Sequence, residues 1–503
     1  MIQQLIGAIG SVFDPAVFIS LIVGTAAGII GGAIPGITIT MTVILVLPFT
    51  FGMSPLQGLA TMVGVYVGGS SGGLISACLI GIPGTPSAVA TTFDGFPMTR
   101  KGEPGRAVWF GIYASMLGSL IGGIFLVVGA VTLAEIAIKF GPWEYFSLFF
   151  FTLSIVPSLT EKSFIKGLIS GVFGLLVASV GTDPIMGVPR FTFNTELLKS
   201  GFPFLPVLIG VYAFSQVMSD AEKTGKSVKK SHYEAKLNLK VSHLKVLKEI
   251  LWQQPVNLIR SSIIGLIIGI LPAVGGSAAN ILAYDQAKKM SRHPEKFGTG
   301  IPDGIIASES SNNANVGGSL ITMMAFGIPG DAVTAVMLGA LIIHGIQPGP
   351  LFIGNYPIVA YGVFLAYFLS TFIAVGLEWA GLKIFLRIVE VPGHILFPIV
   401  LILCAVGSFA LNNIIADVWT LYFFGIMGYL MIKFGFPLAP IILGVILGPL
   451  IETNLIRAIM TNSDLTLFIR RPVSLFFLIL SVVSVGIAIY QRRKQERTAL
   501  KKG

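Results

Sequence analysis

Charge is scarce in this sequence: Asp, Glu, Lys and Arg make up 11% of its 503 residues, against 54% hydrophobic residues. A chain so poor in charge cannot hide its apolar surface in one water-soluble core, so lipid is its expected main solvent. Cysteine is nearly absent as well. The two present, Cys78 and Cys404, fall inside apolar stretches, where a thiol behaves as a small hydrophobe, and no disulfide framework is implied. Metal-ligand spacing is missing: there is no HExxH, and the isolated His344 and His394 have no partner at ligand distance along the chain. A Walker-type GxxxxGK[ST] is also lacking, which argues against ATP hydrolysis by this chain. The first fifteen residues contain no Lys or Arg, so the basic start of a cleavable signal peptide is not there, and the first helix is expected to serve as its own insertion signal.

Apolar windows are abundant. Stretches of about 20 such residues recur from Ala16 to Tyr490, enough for about ten to twelve crossings of a hydrocarbon layer roughly 30 Å thick. The net charge of +10 comes from loops and the C-terminal end, with no aromatic-basic module for bases, so the basic residues set membrane orientation and touch anionic lipid rather than nucleic acid. One long polar interruption, Asp220 to Gln254, divides the chain. It contains the amphipathic KVSHLKVLKEILW and reads as a cytoplasmic linker with a helix on the membrane surface. The expected organisation is a first transmembrane repeat over 1–219, the linker over 220–254, a second repeat over 255–472, and a terminal helix with a basic cytoplasmic tail over 473–503.

The two halves carry the same punctuation. GIIGGAIPGITITMT matches GLIIGILPAVGGSAAN, with Pro272 lying 237 residues after Pro35. VGGSSGGLISACLIGIPGTP matches NVGGSLITMMAFGIPGDA, with Pro329 lying 246 residues after Pro83. Two matches in one order at nearly one offset indicate duplication. Basic residues then test orientation, because they remain on the side of synthesis. The loop after the first IPG carries Arg100, Lys101 and Arg106, whereas its counterpart His344 to Tyr356 has no Lys or Arg. The preceding loop shows the reverse: Phe51 to Gln57 is neutral and Tyr284 to Gly298 carries Lys288, Lys289, Arg292 and Lys296. Opposite loops are basic, as inverted repeats require. Glu452 to Arg471 fits this scheme poorly, since it would face outward with Arg457, Arg470 and Arg471. The expected fold is therefore an all-α polytopic membrane protein of two inverted-topology repeats, with discontinuous helices or re-entrant hairpins.

Pro and Gly inside an apolar span release backbone groups that lipid cannot satisfy, and in inverted-repeat transporters a solute and its coupling ion commonly bind there. In the first half the candidates for solute contact are Gly36, Thr38, Thr40, Gly84, Thr85 and Ser87. In the second they are Gly276, Ser277, Asn280, Gly330, Asp331 and Thr334. Thr85 and Asp331 stand at N-cap positions, so a half-helix is expected to start at Pro86 and at Ala332. Gly24, Gly28 and Gly32 have the spacing of close helix packing. Glu309, Asn312, Asn313 and Asn315, in ASESSNNANVGG, suit a coupling ion if the cluster lies at membrane depth: their oxygens fit sodium, and Glu309 could carry a proton instead. At the membrane surface the same cluster would only begin a helix. Glu452 is expected to pair with Arg457, while Asp183, Glu378, Lys383, Arg387 and Asp417 read as structural charges near membrane boundaries.

The motifs GAIPGITITM, YVGGSSGGLISACLIGIPGTPSAVATTFDGFPMTRKGEPGRA, ESSNNANVGGSLITMMAFGIPGDAVTAVMLGALIIHGIQPGP and GPLIETNLIRA together resemble the large membrane subunit of the tripartite tricarboxylate transporters. The resemblance extends from about Leu21 to Val473. It implies secondary-active uptake of a di- or tricarboxylate across a bacterial inner membrane, driven by sodium or protons, with no cofactor beyond possible coupling sodium ions. It also implies two partners, a periplasmic solute-binding protein and a small membrane subunit; a homodimer is a further possible assembly. Substrate carboxylates would sit at the half-helix N-termini after Gly84 and Gly330, and Asp331 would cap its helix, hold a cation or be protonated during the cycle. A passive anion channel and an intramembrane enzyme are the competing readings. The second would need a convergent set of acid, base, nucleophile or metal groups, and the sequence offers none.

Overall fold

The computed structural model describes residues 2–159, 164–183, 185–224, 239–388 and 393–500, and they are almost wholly helical, as expected. Among the described residues, nine helices are long and apolar enough to cross a membrane, joined by four shorter apolar ones. The chain condenses into two units, residues 1–135 with 220–407 and residues 136–219 with 408–503. Compactness thus does not follow the sequence halves: each half gives its first block to one unit and its second block to the other.

The first block holds α1 (Ile2–Val12), α2 (Pro15–Ala33), α3 (Ile39–Val46), α4 (Pro55–Ile80), α5 (Thr91–Arg100) and α6 (Pro104–Ala137). Local chemistry starts α2 and α4 in the same way. Asp14 and Ser54 cap them by accepting from the Ala16 N–H (2.9 Å) and the Gln57 N–H (3.3 Å), and a proline fills the first helical position of each. Helix α4 ends at Gly81, whose φ of 72° is the left-handed value that favours glycine.

The second block holds α7 (Pro142–Leu159), α8 (Phe164–Ala178), the paired two-residue strands β1 (Gly181–Thr182) and β2 (Pro189–Arg190), α9 (Glu196–Lys199), and α10 (Phe204–Leu208), which runs through a π turn into α11 (Ser215–Thr224). Between the strands, the N–H groups of Ile185 and Met186 donate to Asp183 and hold its carboxyl below the usual range.

The third block opens with α12 (His243–Lys248), continued by a π turn to Gln253, which is the expected amphipathic segment. Trp252 is 81% exposed on it. The rest of the expected linker, 225–238, lies outside the described residues. Then come α13 (Pro255–Ile270), α14 (Gly275–Met290), α15 (Pro302–Phe326), α16 (Ala332–Ile343), α17 (Phe352–Asn355) and α18 (Pro357–Ile388).

The third block ends with α19 (Gly393–Asn412), whose residues through Gly407 belong to the first unit, and the fourth, α20 (Ile415–Lys433), α21 (Ala439–Thr461), α22 (Leu467–Arg470) and α23 (Pro472–Leu500), packs on the second. Here the expected Glu452–Arg457 pair does not form. Residues five apart on a helix point to different faces, and Glu452 is taken by the Arg190 guanidinium from β2. Arg471, another of the basic residues awkward for the orientation scheme, pairs with Glu144 at 3.0 Å and lies over the Trp143 ring.

The duplication seen in the sequence returns as matched atomic contacts inside the first unit. A Cβ at Gly28 would come within 2.3 Å of the Val65 carbonyl oxygen, and one at Gly265 within 2.0 Å of the Ser311 oxygen. Gly32 meets the Gly69 oxygen at 2.3 Å, and Gly269 meets the Asn315 oxygen at 2.3 Å. These two α2–α4 contacts have α13–α15 equivalents, shifted by the same 237 and 246 residues. The packing role expected for Gly24, Gly28 and Gly32 is therefore what the structure shows, and it holds for Gly265 and Gly269, while the position equivalent to Gly24 is Ser261.

Candidate functional site

Both chain breaks form. After α4, Gly81 turns the chain through Ile82 and Pro83; after α15, Gly327 does the same with φ of 68°. The returning segments then press back on their own helix pairs. A Cβ on Gly84 would lie 2.1 Å from the Gly32 carbonyl oxygen, and one on Gly330 would lie 2.4 Å from the Gly269 oxygen. Both glycines are thus required by backbone packing, and the Gly84 N–H already donates to the Gly73 carbonyl at 3.3 Å.

The two breaks differ on their C-terminal side. Asp331 caps α16 in a capping box: it accepts from the Thr334 N–H at 2.8 Å, and the Thr334 hydroxyl accepts from the Asp331 N–H at 2.9 Å. The expected half-helix at Pro86 is replaced by a single 3₁₀ turn, Pro86–Ala88, and α5 begins only at Thr91. The reason is local. Thr85 does not cap, because its hydroxyl is 3.0 Å from that of Ser87.

Around these turns the first unit gathers polar side chains from both halves. A Cβ on Gly276 would lie 2.6 Å from Asn312 Oδ1, 3.1 Å from Ser87 Cβ and 3.7 Å from Asn315 Nδ2, so these four residues share one place. Next to them, a Cβ on Gly275 would be 3.6 Å from that of Asp331, and Tyr66 of α4 donates its hydroxyl to the Asp331 carboxylate. The break leading into α14 is strained: Ala273, a residue with a side chain, has φ of 57°. Asn312 Nδ2 donates to the Ser70 carbonyl (2.9 Å), while Asn315 Oδ1 and the hydroxyls of Ser310 and Ser319 have no partner although buried.

A second polar group lies one turn away along α15. Glu309 accepts from the Thr91 hydroxyl and, at 3.0 Å, from that of Ser115. Asn280 accepts from the Ala90 N–H at 2.7 Å and donates to the Ser308 carbonyl at 3.2 Å, tying α14 to both α5 and α15. Asn313 Nδ2 donates to the Glu309 carbonyl. Residues Ser308 to Asn313 and Asn315 are at most 2% exposed in mid-helix, so the cluster sits within the protein interior and does not begin a helix.

Other expected residues are employed elsewhere. Thr38 caps α3 by accepting from the Met41 N–H, and exposed Gly36 lies closest to the Asp220 carboxylate. Thr40 is buried on α3, and Ser277 is half-buried on α14. Glu378 departs most from expectation: it lies inside α18 with no solvent exposure, because its helix is long enough to place it well away from either end. The side chains of Arg387 and His394 lie outside the described residues. Sequence reasoning missed Tyr66, Ser70, Thr91 and Ser115. The repeat offset held a signal for one of them, since Tyr66 stands 246 residues before Asn312. Gly68 to Gly72 even spells GxSxG, but in the middle of α4, where no strand-to-helix elbow exists to expose a nucleophile.

Among the described residues no Lys or Arg bonds to Glu309, Asp331 or Glu378. What the arrangement offers is a buried meeting of two broken segments, lined by hydroxyls, amides and carboxyls, in a multi-pass membrane protein. The particular family emerges from comparison. The profile of the Tripartite tricarboxylate transporter TctA family matches residues 18–443, and the chain belongs to that family. An uncharacterized 52.8 kDa protein in the TAR-I ttuC' 3'region of Agrobacterium vitis is 33% identical over 476 residues, covering 94% of this chain and 93% of that one. An uncharacterized protein in the TAR-II ttuC' 3'region of the same organism is 33% identical over 234 residues, 46% of this chain and 97% of its own. No solved structure matches. Membership makes this chain the membrane component of a tricarboxylate transporter, and the tripartite family implies partner subunits.

Proposed function

We propose that this chain carries a di- or tricarboxylate inward across a bacterial inner membrane, coupled to a cation gradient, with the solute delivered by a periplasmic binding protein and a small membrane subunit at its side. The observation that carries the reading is the convergence of Ser87, Gly276, Asn312, Asn315 and Asp331 from both halves in a buried region without a basic residue. An anionic solute placed there meets carboxyls rather than guanidinium groups. Its charge is then met by helix N-termini, N–H groups and co-bound cations, which supports the reading of ion coupling. The unpartnered oxygens of Asn315 and Ser319 are the places we assign to solute or sodium.

Counterflow tests it. Purified protein in vesicles loaded with unlabelled citrate, tartrate or succinate should accumulate the labelled compound transiently against its gradient. Simple equilibration without saturation would instead identify a passive channel.

A further inference from the structure

Glu378 stands in an unusual place for a carboxyl. It is 0% exposed within α18, and neither of its oxygens receives a hydrogen bond. Its neighbours one turn either way, Ala374 and Leu382, are core residues of an apolar cluster that includes Leu74, Ile75, Cys78 and Phe110.

Among the described residues no hydrogen bond ties Glu378 to another titratable group, those of its own helix, Tyr361, Tyr367 and Lys383, included. Helices α1, α2 and α17 have no titratable side chain; α4 brings only Tyr66 and Cys78. Helix α15 adds Asp303 and Glu309. Within the first unit α6 contributes Arg106, Tyr113 and Glu135, with the guanidinium of Arg106 engaged by Glu103 and Glu249. The two buried acids differ in their bonding: each oxygen of Glu309 accepts a hydroxyl proton, whereas neither oxygen of Glu378 has a donor. A charge buried among apolar side chains without a partner is costly, and a bound proton removes that charge. Sodium would require several converging oxygens, and no hydrogen-bonding group closes on Glu378 to supply them.

We propose that Glu378 is a proton-binding site of the transport cycle. The proposal deepens the reading of cation-coupled transport by assigning a proton to a residue outside the break cluster. Glu378→Gln keeps shape and neutrality and mimics the loaded form.

Two measurements test it. Infrared difference spectra of the protein in lipid nanodiscs should show a protonated-carboxyl C=O band at neutral pH that is lost in Glu378→Gln. A band unchanged by Glu378→Gln, or none in the unmodified protein, overturns the assignment, and this readout stands whether or not the vesicles transport. In sodium-free vesicles, Glu378→Gln should retain citrate, tartrate or succinate counterflow but lose stimulation by an inwardly directed proton gradient. Equal stimulation of variant and parent, or counterflow by a parent that ignores the gradient, overturns the role in coupling. Counterflow by the parent only when sodium is present overturns the role in coupling, whereas its absence both with and without sodium overturns instead the proposed function, leaving the infrared result to decide the proton.

Discussion

At the scale of single residues, Tyr66 and Asp331 make the sharpest case. Tyr66 comes from the first half and Asp331 from the second, and the hydroxyl of one is donated to the carboxylate of the other in the interior. Removing the donor by Tyr66→Phe leaves a buried carboxylate with its capping bonds to Thr334 but one partner fewer. The expected cost is about 1–3 kcal/mol. It should appear as a lower unfolding temperature in detergent and as a matching loss of counterflow. A second variant separates site from scaffold: Gly276→Ala places a methyl group 2.6 Å from Asn312 Oδ1, the end of a side chain that can shift, so folding should survive while solute affinity falls. Saturable counterflow with a raised half-saturation concentration would meet that expectation, and unchanged affinity would take Gly276 out of the site. The reading of single residues succeeded where backbone chemistry is local, as with the Asp331 cap. It fell short at Thr85, where the side chain turned to Ser87 instead. It also missed Glu378, because nothing in GLEWAGLK tells which face of a long apolar helix meets the interior.

At the scale of helices, the glycines decide how closely the chain can pack. Membrane helices gain little from the hydrophobic effect among themselves, so close backbone approach supplies much of their attraction. Gly32 and Gly269 are equivalent under the repeat, and each faces both its partner helix and the glycine of its own break, Gly84 or Gly330. Gly32→Leu and Gly269→Leu should therefore act alike, separating α2 from α4 and α13 from α15 and displacing the returning segment. Overpacking of this kind costs about 1–3 kcal/mol or more, and backbone atoms cannot step aside as a side chain tip can. Both variants should yield little folded protein by size-exclusion chromatography, with parallel losses. A marked difference between them would mean that the halves are not equivalent in the folded protein. The repeat itself was legible from Pro and Gly spacing, since offsets of 237 and 246 residues survive as contacts at the same offsets. The division into compact units was not legible. A polar linker marks where the chain leaves the membrane, but which apolar faces meet depends on three-dimensional packing that sequence spacing does not encode.

At the scale of the whole molecule, the orientation of the two halves can be tested through their loops. Duplicated segments can lie parallel or inverted, and the matched glycine contacts are the same in either case, since each contact lies within one half. Charge breaks the tie. Arg100, Lys101 and Arg106 come after the first break, whereas Lys288, Lys289, Arg292 and Lys296 precede the second, so basic residues mark non-equivalent loops. If both clusters remain on the side of synthesis, the halves must enter the membrane with opposite hands. Single cysteines introduced at exposed Lys101 and exposed Lys296, in a background with Cys78 and Cys404 replaced by Ala or Ser, provide the measurement. A membrane-impermeant maleimide should label neither position in right-side-out vesicles and both in inverted ones. Cysteines at exposed Gly52 and exposed Leu351 occupy the loops without basic residues and should give the opposite pattern. Labelling of Lys101 and Lys296 from opposite sides would establish parallel repeats, and with them a site whose two breaks approach the solute from one direction rather than from both.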